Sequence, residues 1–208
     1  MIVGLLHKIA KNSLERPNII LAFIFFFLPF IFSIVARLAF GFPIDAPTLA
    51  VNAAIALGFW ITSVALLFIL IKLIKGAPSL KFTGLLTGQS FIHLFTFILS
   101  VFMLAVLLVL MPGFFHSMSE IVGDGSFTDA ELQTVLSQLP LPSDDAFMGW
   151  IAILAASLII FIGVFLMSVY LIYLLINFAG QGSRKQNWLV LILWLLIIGA
   201  FRFFALTI

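Results

Sequence analysis

The chain contains no cysteine, and only 9% of its 208 residues are Asp, Glu, Lys or Arg. Without cysteine it can form no disulfide, no thiolate zinc site and no cysteine nucleophile. A soluble domain has about 25% charged and about 45–50% apolar residues, whereas 64% of this sequence is hydrophobic. Because the apolar residues come in long runs, the sequence predicts a protein that folds in lipid rather than in water.

The familiar motifs of catalysis and metal binding are absent as well. The sequence has no zinc-protease His-Glu-x-x-His, no phosphate-binding P-loop and no Gly-x-Ser-x-Gly elbow. His7, His93 and His116 are predicted to lie at three different depths relative to the membrane, so they cannot share one metal. No pair of carboxylates lies within an apolar run. We therefore predict that the protein is not an enzyme and uses no cofactor or metal.

Five apolar runs are each long enough to cross a bilayer, for which a helix needs about 20 residues. They cover about residues 18–40, 48–74, 85–111, 147–179 and 188–208. The predicted fold is all-α, a polytopic transmembrane helical bundle with five spans that forms one membrane domain over residues 18–208. The lipid bilayer is therefore its first expected partner.

The segment ahead of the first run, residues 1–17, is amphipathic. Ile2 and Leu5 lie on one side of a predicted helix, and Lys8 and Lys11 lie on the other. The proline that closes the segment ends this helix. The pattern predicts an interfacial helix that lies on the membrane surface.

One sizeable polar loop, residues 112–146, separates the third and fourth spans. It carries six acidic residues and no Lys or Arg. Thr128 and Glu131 have the spacing of a capping box, and an apolar face follows up to Pro140, which predicts a short helix over residues 129–139. The loop lacks the ligand spacing of an EF-hand, so we expect it to be solvated; a role in collecting cations is the alternative.

Basic residues concentrate on one side of the predicted spans. They lie before the first span, between the second and third, and between the fourth and fifth: Lys8, Lys11, Arg16, Lys72, Lys75, Lys81, Arg184 and Lys185. The other side carries Asp45 and the acidic loop. The positive-inside rule predicts a cytoplasmic N-terminus and a C-terminus outside. The net charge of +2 is too small to suggest a nucleic-acid partner.

A polar stripe on the third span is the strongest candidate for a functional site. Gln89, His93, Thr96 and Ser100 are spaced by four, three and four residues, which places them on one helical face. The fourth span runs in the opposite direction, and its end brings three more polar residues to a similar depth: Tyr170, Tyr173 and Asn177. The functional interpretation is a site for a solute, ion or lipid headgroup that opens to the cytoplasm. The alternative is interhelical hydrogen bonding that only fixes the packing.

Two arginines, Arg37 and Arg202, lie toward the outer ends of their spans. Each can pair with Asp45 or Glu120, or bind a lipid phosphate. The alternative is that they extend to the interface only to keep their charge in water.

Glu15-Arg16-Pro17 lies directly before the first span, and Lys75-Gly76…Ser79-Leu80-Lys81-Phe82 leads into the third. With these two motifs, the layout resembles the Yip family of five-span membrane proteins, of the prokaryotic type. It implies a five-helix bundle, and eukaryotic members of the family organise vesicle traffic. Their long cytoplasmic N-terminal region is missing from this sequence, so GTPase binding is not expected.

Two functions remain open at this point. The first is a non-enzymatic integral membrane protein that acts through interaction with other membrane proteins, or with copies of itself, in membrane organisation or trafficking. The alternative is a small transporter or channel with a polar site in the cytoplasmic half of the bundle. The short chain favours the plasma (inner) membrane of a prokaryote as its location.

Overall fold

A computed structural model describes residues 2–41, 44–110, 144–180 and 182–206, with side chains undescribed at 107, 109, 110, 144–154 and 202–206. Within those residues the chain forms six helices: α1 (Ile2–Glu15), α2 (Ile19–Ala39), α3 (Ala46–Lys75), α4 (Phe82–Leu110), α5 (Asp144–Phe178) and α6 (Arg184–Leu206). α2 to α6 each contain a stretch long and apolar enough to cross a membrane. The predicted all-α bundle with five spans is therefore confirmed.

Side-chain caps set the starts of several helices. The Asn18 side chain accepts a hydrogen bond of 3.0 Å from the Leu21 amide and begins α2. Asp45 does the same for α3 by accepting from the Thr48 amide at 3.2 Å. Hydrogen bonds from the Thr48 hydroxyl and amide hold the pKa of the Asp45 carboxyl below its ordinary value.

The helix ends differ by up to four residues from the predicted spans. α6 starts at Arg184 rather than 188 because Ser183 and Gln186 form a reciprocal capping box. The Ser183 amide donates to Gln186 Oε1 at 2.8 Å, and the Gln186 amide donates to Ser183 Oγ at 3.3 Å. α5 starts at Asp144, so the acidic loop ends before residue 146. The rest of that loop, with the predicted helix 129–139, lies outside the described residues.

α4 is the centre of the bundle. It packs against α1, α2, α3 and α5, while α6 packs against α3 and α5. The spans alternate in direction, so the starts of α2, α4 and α6 and the ends of α3 and α5 meet at one end together with α1. We call this the α1 end of the bundle.

The buried core lies in the half of the bundle next to the α1 end. Within the spans, buried side chains occur at Ala22, Phe26 and within residues 60–75, 84–90, 171–179 and 187–194. In the other half, every side chain that the structure describes is half-buried or exposed. A Cβ added at Gly58, Gly163 or Gly199 in that half would meet no atom within 4 Å. Helix packing is thus tight toward α1 and open away from it.

Candidate functional site

α1 lies across α4 and α5 at their shared end. Leu6 and Ala10 are buried in this contact. The ring of His7 meets the ring of Phe178 edge-on, with centroids 5.4 Å apart. α1 is therefore part of the packed half of the bundle and not a detached tail.

α1 presents three different faces, because successive residues of a helix turn by about 100°. The bundle face holds Leu6, Ala10 and Ser13, which are all buried. A second face exposes Ile2 and Leu5, and a third exposes Lys8, Lys11 and Glu15. On the third face, Lys11 Nζ lies 3.8 Å from Glu15 Oε1 and forms an ion pair with it. The apolar side that the sequence predicted is thus shared between the bundle and an exposed strip.

The polar stripe of α4 begins inside the core. Gln89 is buried, and His93 is half-buried. The His93 ring lies edge-on to two aromatic rings from neighbouring helices, 5.0 Å from Phe26 of α2 and 5.4 Å from Trp60 of α3. This part of the stripe therefore faces the contact of α2, α3 and α4.

The stripe then leaves the core. Thr96 is exposed, and its hydroxyl donates to the Ile92 carbonyl at 2.9 Å. The Ser100 hydroxyl donates to the Thr96 carbonyl at the same distance. Both hydroxyl protons are thus used within α4 itself, an arrangement that satisfies Ser and Thr in lipid without any partner helix.

The polar residues of α5 face α1 and α6. Tyr170 and Tyr173 are stacked with centroids 6.4 Å apart, and Tyr173 packs on Trp188 at 5.1 Å. The Asn177 side-chain carbonyl accepts a hydrogen bond of 2.8 Å from Asn187. The seven predicted site residues thus have three different surroundings: the contact of α2, α3 and α4, the part of α4 outside the core, and the contact of α5 with α1 and α6. Ligand binding by these residues stays a prediction.

The two arginines at the far ends of the spans are placed only in part. Arg37 is exposed in the last turn of α2, where the partial negative charge of the helix end favours a cation. Arg202 lies in α6, and its side chain is outside the described residues, as is the whole of Glu120. Ion pairing or phosphate binding by these arginines stays a prediction.

Two hydrogen bonds at the α1 end were not predicted from the sequence. Lys75, the last residue of α3, is buried and donates to the Ile176 carbonyl in the last turn of α5. Gln186 of α6 donates in turn to the Ile74 carbonyl at 3.2 Å. Each bond satisfies a carbonyl that a helix end leaves without an intrahelical partner. In the sequence, Lys75 was interpreted as a topology-setting charge and as part of the Yip resemblance, and neither interpretation predicts this hydrogen bond.

The two loops of this end also touch. A Cβ added to Gly182 would lie 2.5 Å from Cε of Lys75, and one added to Gly180 would lie 2.7 Å from Cβ of Ala77. Beside them, Lys72, Gly76, Ala77 and Pro78 line an open cleft of about 250 Å³. Among the residues described, no group of three or more His, Asp or Glu side chains is placed to hold a metal.

Three buried polar atoms in the described part of the chain have no hydrogen-bond partner: Trp60 Nε1, Gln89 Nε2 and Asn187 Oδ1. The comparable indole of Trp194 is satisfied, because its Nε1 donates to the Ser63 carbonyl at 3.0 Å. Trp60 was missed as a site residue because a single tryptophan in an apolar run carries no signal of its own.

No family model, no curated protein and no solved structure matches this chain. The Yip resemblance thus stays a prediction from the residues that carry it, and the site is interpreted from its own geometry.

Proposed function

We propose that this is a non-enzymatic integral membrane protein of the Yip type, located in the inner membrane of a prokaryote. It acts by binding another membrane protein, or a second copy of itself, at its α1 end. This end faces the cytoplasm, as the distribution of Lys and Arg implies.

The observation that carries the proposal is the three-faced α1. Its bundle face is seated on α4 and α5, while Ile2 and Leu5 stay exposed beside Lys8 and Lys11. In a bilayer, this geometry suits a helix lying at the headgroup level with its lysines toward anionic lipid and water. A helix so placed offers a partner a fixed surface where membrane and cytoplasm meet.

The natural absence of cysteine makes the test specific, since an introduced cysteine is the only thiol. Lys8→Cys places it on the water face, Leu5→Cys on the exposed apolar face, and Ser13→Cys on the bundle face, where the residue is 3% exposed. In inside-out membrane vesicles, a membrane-impermeant maleimide should label Lys8→Cys, leave Ser13→Cys unlabelled until unfolding, and reach Leu5→Cys poorly.

The partner is then captured with a benzophenone maleimide attached at the same positions in native membranes, followed by mass spectrometry. We expect one stoichiometric protein, or a homodimer, from Lys8→Cys. Ile159→Cys, an exposed position in the open half, is the matched control and should not give this product. A protein recovered alone from every α1 position, or the same products from Ile159→Cys, would refute the proposal.

The second candidate function is a small transporter or channel. Gln89, buried with a side-chain amide nitrogen that has no described partner, favours it, and His93 lies one helical turn further along the same face of α4. Liposomes containing the purified protein would be assayed for proton and potassium flux with indicator dyes. Loss of flux in a folded His93→Ala variant would support this function. Equal flux in the variant and the parent would show that transport does not use the proposed site at His93.

A further inference from the structure

Two buried side chains of the bundle, Trp60 of α3 and Gln89 of α4, each carry a hydrogen-bond donor without a described partner. Trp60 is 4% exposed and Gln89 is 3% exposed. Trp60 Nε1 and Gln89 Nε2 have no acceptor among the described residues. In lipid, an unsatisfied donor is strongly unfavourable because no bulk water replaces the missing partner. Two such groups in the same bundle therefore require a physical explanation.

His93 relates the positions of the two donors. Its ring lies 5.4 Å from the Trp60 ring, and Gln89 is one helical turn earlier on the same face of α4. Phe26 stacks on Trp60 at 4.8 Å with an interplanar angle of 10°, which covers one face of the indole. Trp60 thus lies where α2, α3 and α4 meet, and Gln89 lies on the α4 face that His93 turns toward this junction. The junction is at the boundary between the packed and the open half of the bundle.

The two donors and the charges on the surrounding helices indicate which kind of ligand can bind. An indole can only donate, so Trp60 needs an acceptor. α2, α3 and α4 contain no Asp or Glu, so these helices offer no carboxylate. The basic residues of α3, Lys72 and Lys75, lie three turns or more beyond Trp60 at the α1 end, and neither donor is charged. The site is therefore suited to a neutral oxygen and not to an anion.

We propose that Trp60 Nε1 and Gln89 Nε2 form a binding site for a neutral oxygen acceptor inside the bundle. Two sources have this chemistry, the ester carbonyl of a phospholipid and a buried water molecule. The proposal does not depend on the partner-binding function, because it concerns the membrane interior and not α1.

The first test is NMR of the ¹⁵N-labelled indoles in nanodiscs made of diester or of diether phosphatidylcholine. Trp194 is the internal reference, since its indole donates to the Ser63 carbonyl, and Trp→Phe variants assign the resonances. We expect the Trp60 indole proton to be shifted downfield like that of Trp194. A shift that appears only in the diester nanodisc identifies a lipid carbonyl. A shift present in both, with a cross-peak to water, identifies water. A Trp60 proton upfield of Trp194 in both nanodiscs, without a water cross-peak, overturns the proposal.

The second test uses stability. Trp60→Phe and the control Trp194→Phe each remove one indole N–H, and Gln89→Met removes the amide with little change of shape. If an acceptor is bound, Trp60→Phe should lower the unfolding midpoint as Trp194→Phe does, and Gln89→Met should lower it too. The double variant Trp60→Phe/Gln89→Met should lose less than the sum, because the acceptor is lost once. An unchanged or raised midpoint for Gln89→Met, or strict additivity, contradicts a shared site.

Discussion

At the scale of single residues, two glycines decide how closely α4 is approached. A Cβ at Gly84 would lie 3.1 Å from the Leu14 Cα of α1, and one at Gly88 would lie 2.4 Å from Leu175 Cδ2 of α5. The neighbour of Gly84 is backbone, which cannot rotate away, whereas the neighbour of Gly88 is a side chain. Gly84 is thus the residue that lets α1 seat on the bundle.

We therefore expect Gly84→Leu to lift α1 off α4. The control is Gly58→Leu, because a Cβ at Gly58 would meet no atom within 4 Å, and both changes raise helix propensity alike. The measurement is maleimide labelling of Ser13→Cys in each background. Labelling should rise at least several-fold with Gly84→Leu and stay at the parent level with Gly58→Leu. Equal labelling in the two backgrounds would show that α1 does not depend on this contact.

At the scale of elements, the ends of α3 and α5 are held together by groups from outside each helix. Lys75 of α3 satisfies a carbonyl of α5, and Gln186 of α6 satisfies a carbonyl of α3. The Lys75 charge also lies at the negative end of the α5 dipole. Both loops follow a span of the same direction and share a Gly-x-x-Ser-x-Lys pattern, at 76–81 and 180–185.

Lys75→Met should consequently weaken the contact of α3 with α5. A hydrogen bond from a charged group contributes about 1.5–3 kcal/mol, so we expect the free energy of unfolding to fall by about 2 kcal/mol. Lys72→Met is the matched control, because Lys72 is exposed and lies over the Phe68 ring at 4.6 Å. Denaturation by sodium dodecyl sulfate in mixed micelles measures both. Equal losses for the two variants would mean that the buried bond contributes nothing specific.

At the scale of the whole molecule, the two halves of the bundle differ in packing. Buried side chains and close glycine contacts lie next to the α1 end, while the described residues of the other half touch their neighbours loosely. The α1 end is thus expected to behave as one rigid unit, which suits a surface that partners recognise. The open half has freedom to adjust to lipid.

A pair of leucines on α5 tests this difference. Leu175 is fully buried, and Leu166 is 59% exposed. Truncation of a buried leucine to alanine costs about 2–5 kcal/mol, so Leu175→Ala should lower the free energy of unfolding by about 3 kcal/mol. Leu166→Ala should lower it by less than about 1 kcal/mol, because lipid replaces its contacts. The same unfolding assay in micelles compares them, and similar losses would argue against the asymmetry.

The sequence by itself determined that the chain is a five-span helical membrane protein with an amphipathic first helix. Span length and hydropathy are local properties of the sequence. The apolar runs, such as residues 18–40, could therefore be identified without knowing which helices pack against each other. The caps at Asn18 and Asp45 are local too. A helix that is apolar on every side has no amphipathic pattern, so its sequence does not indicate which face packs against which neighbouring helix.

Only the tertiary structure decided which faces meet. It placed the His93 ring against α2 and α3, the Tyr173 ring against α6, and the Lys75 side chain against α5. The physical reason is that lipid removes the hydrophobic drive between helices, so packing shape and a few polar bonds choose the partners. Packing shape and interhelical hydrogen bonds depend on residues far apart in the chain. The hydrogen bond from Trp194 to the Ser63 carbonyl is an example that no local sequence pattern predicts.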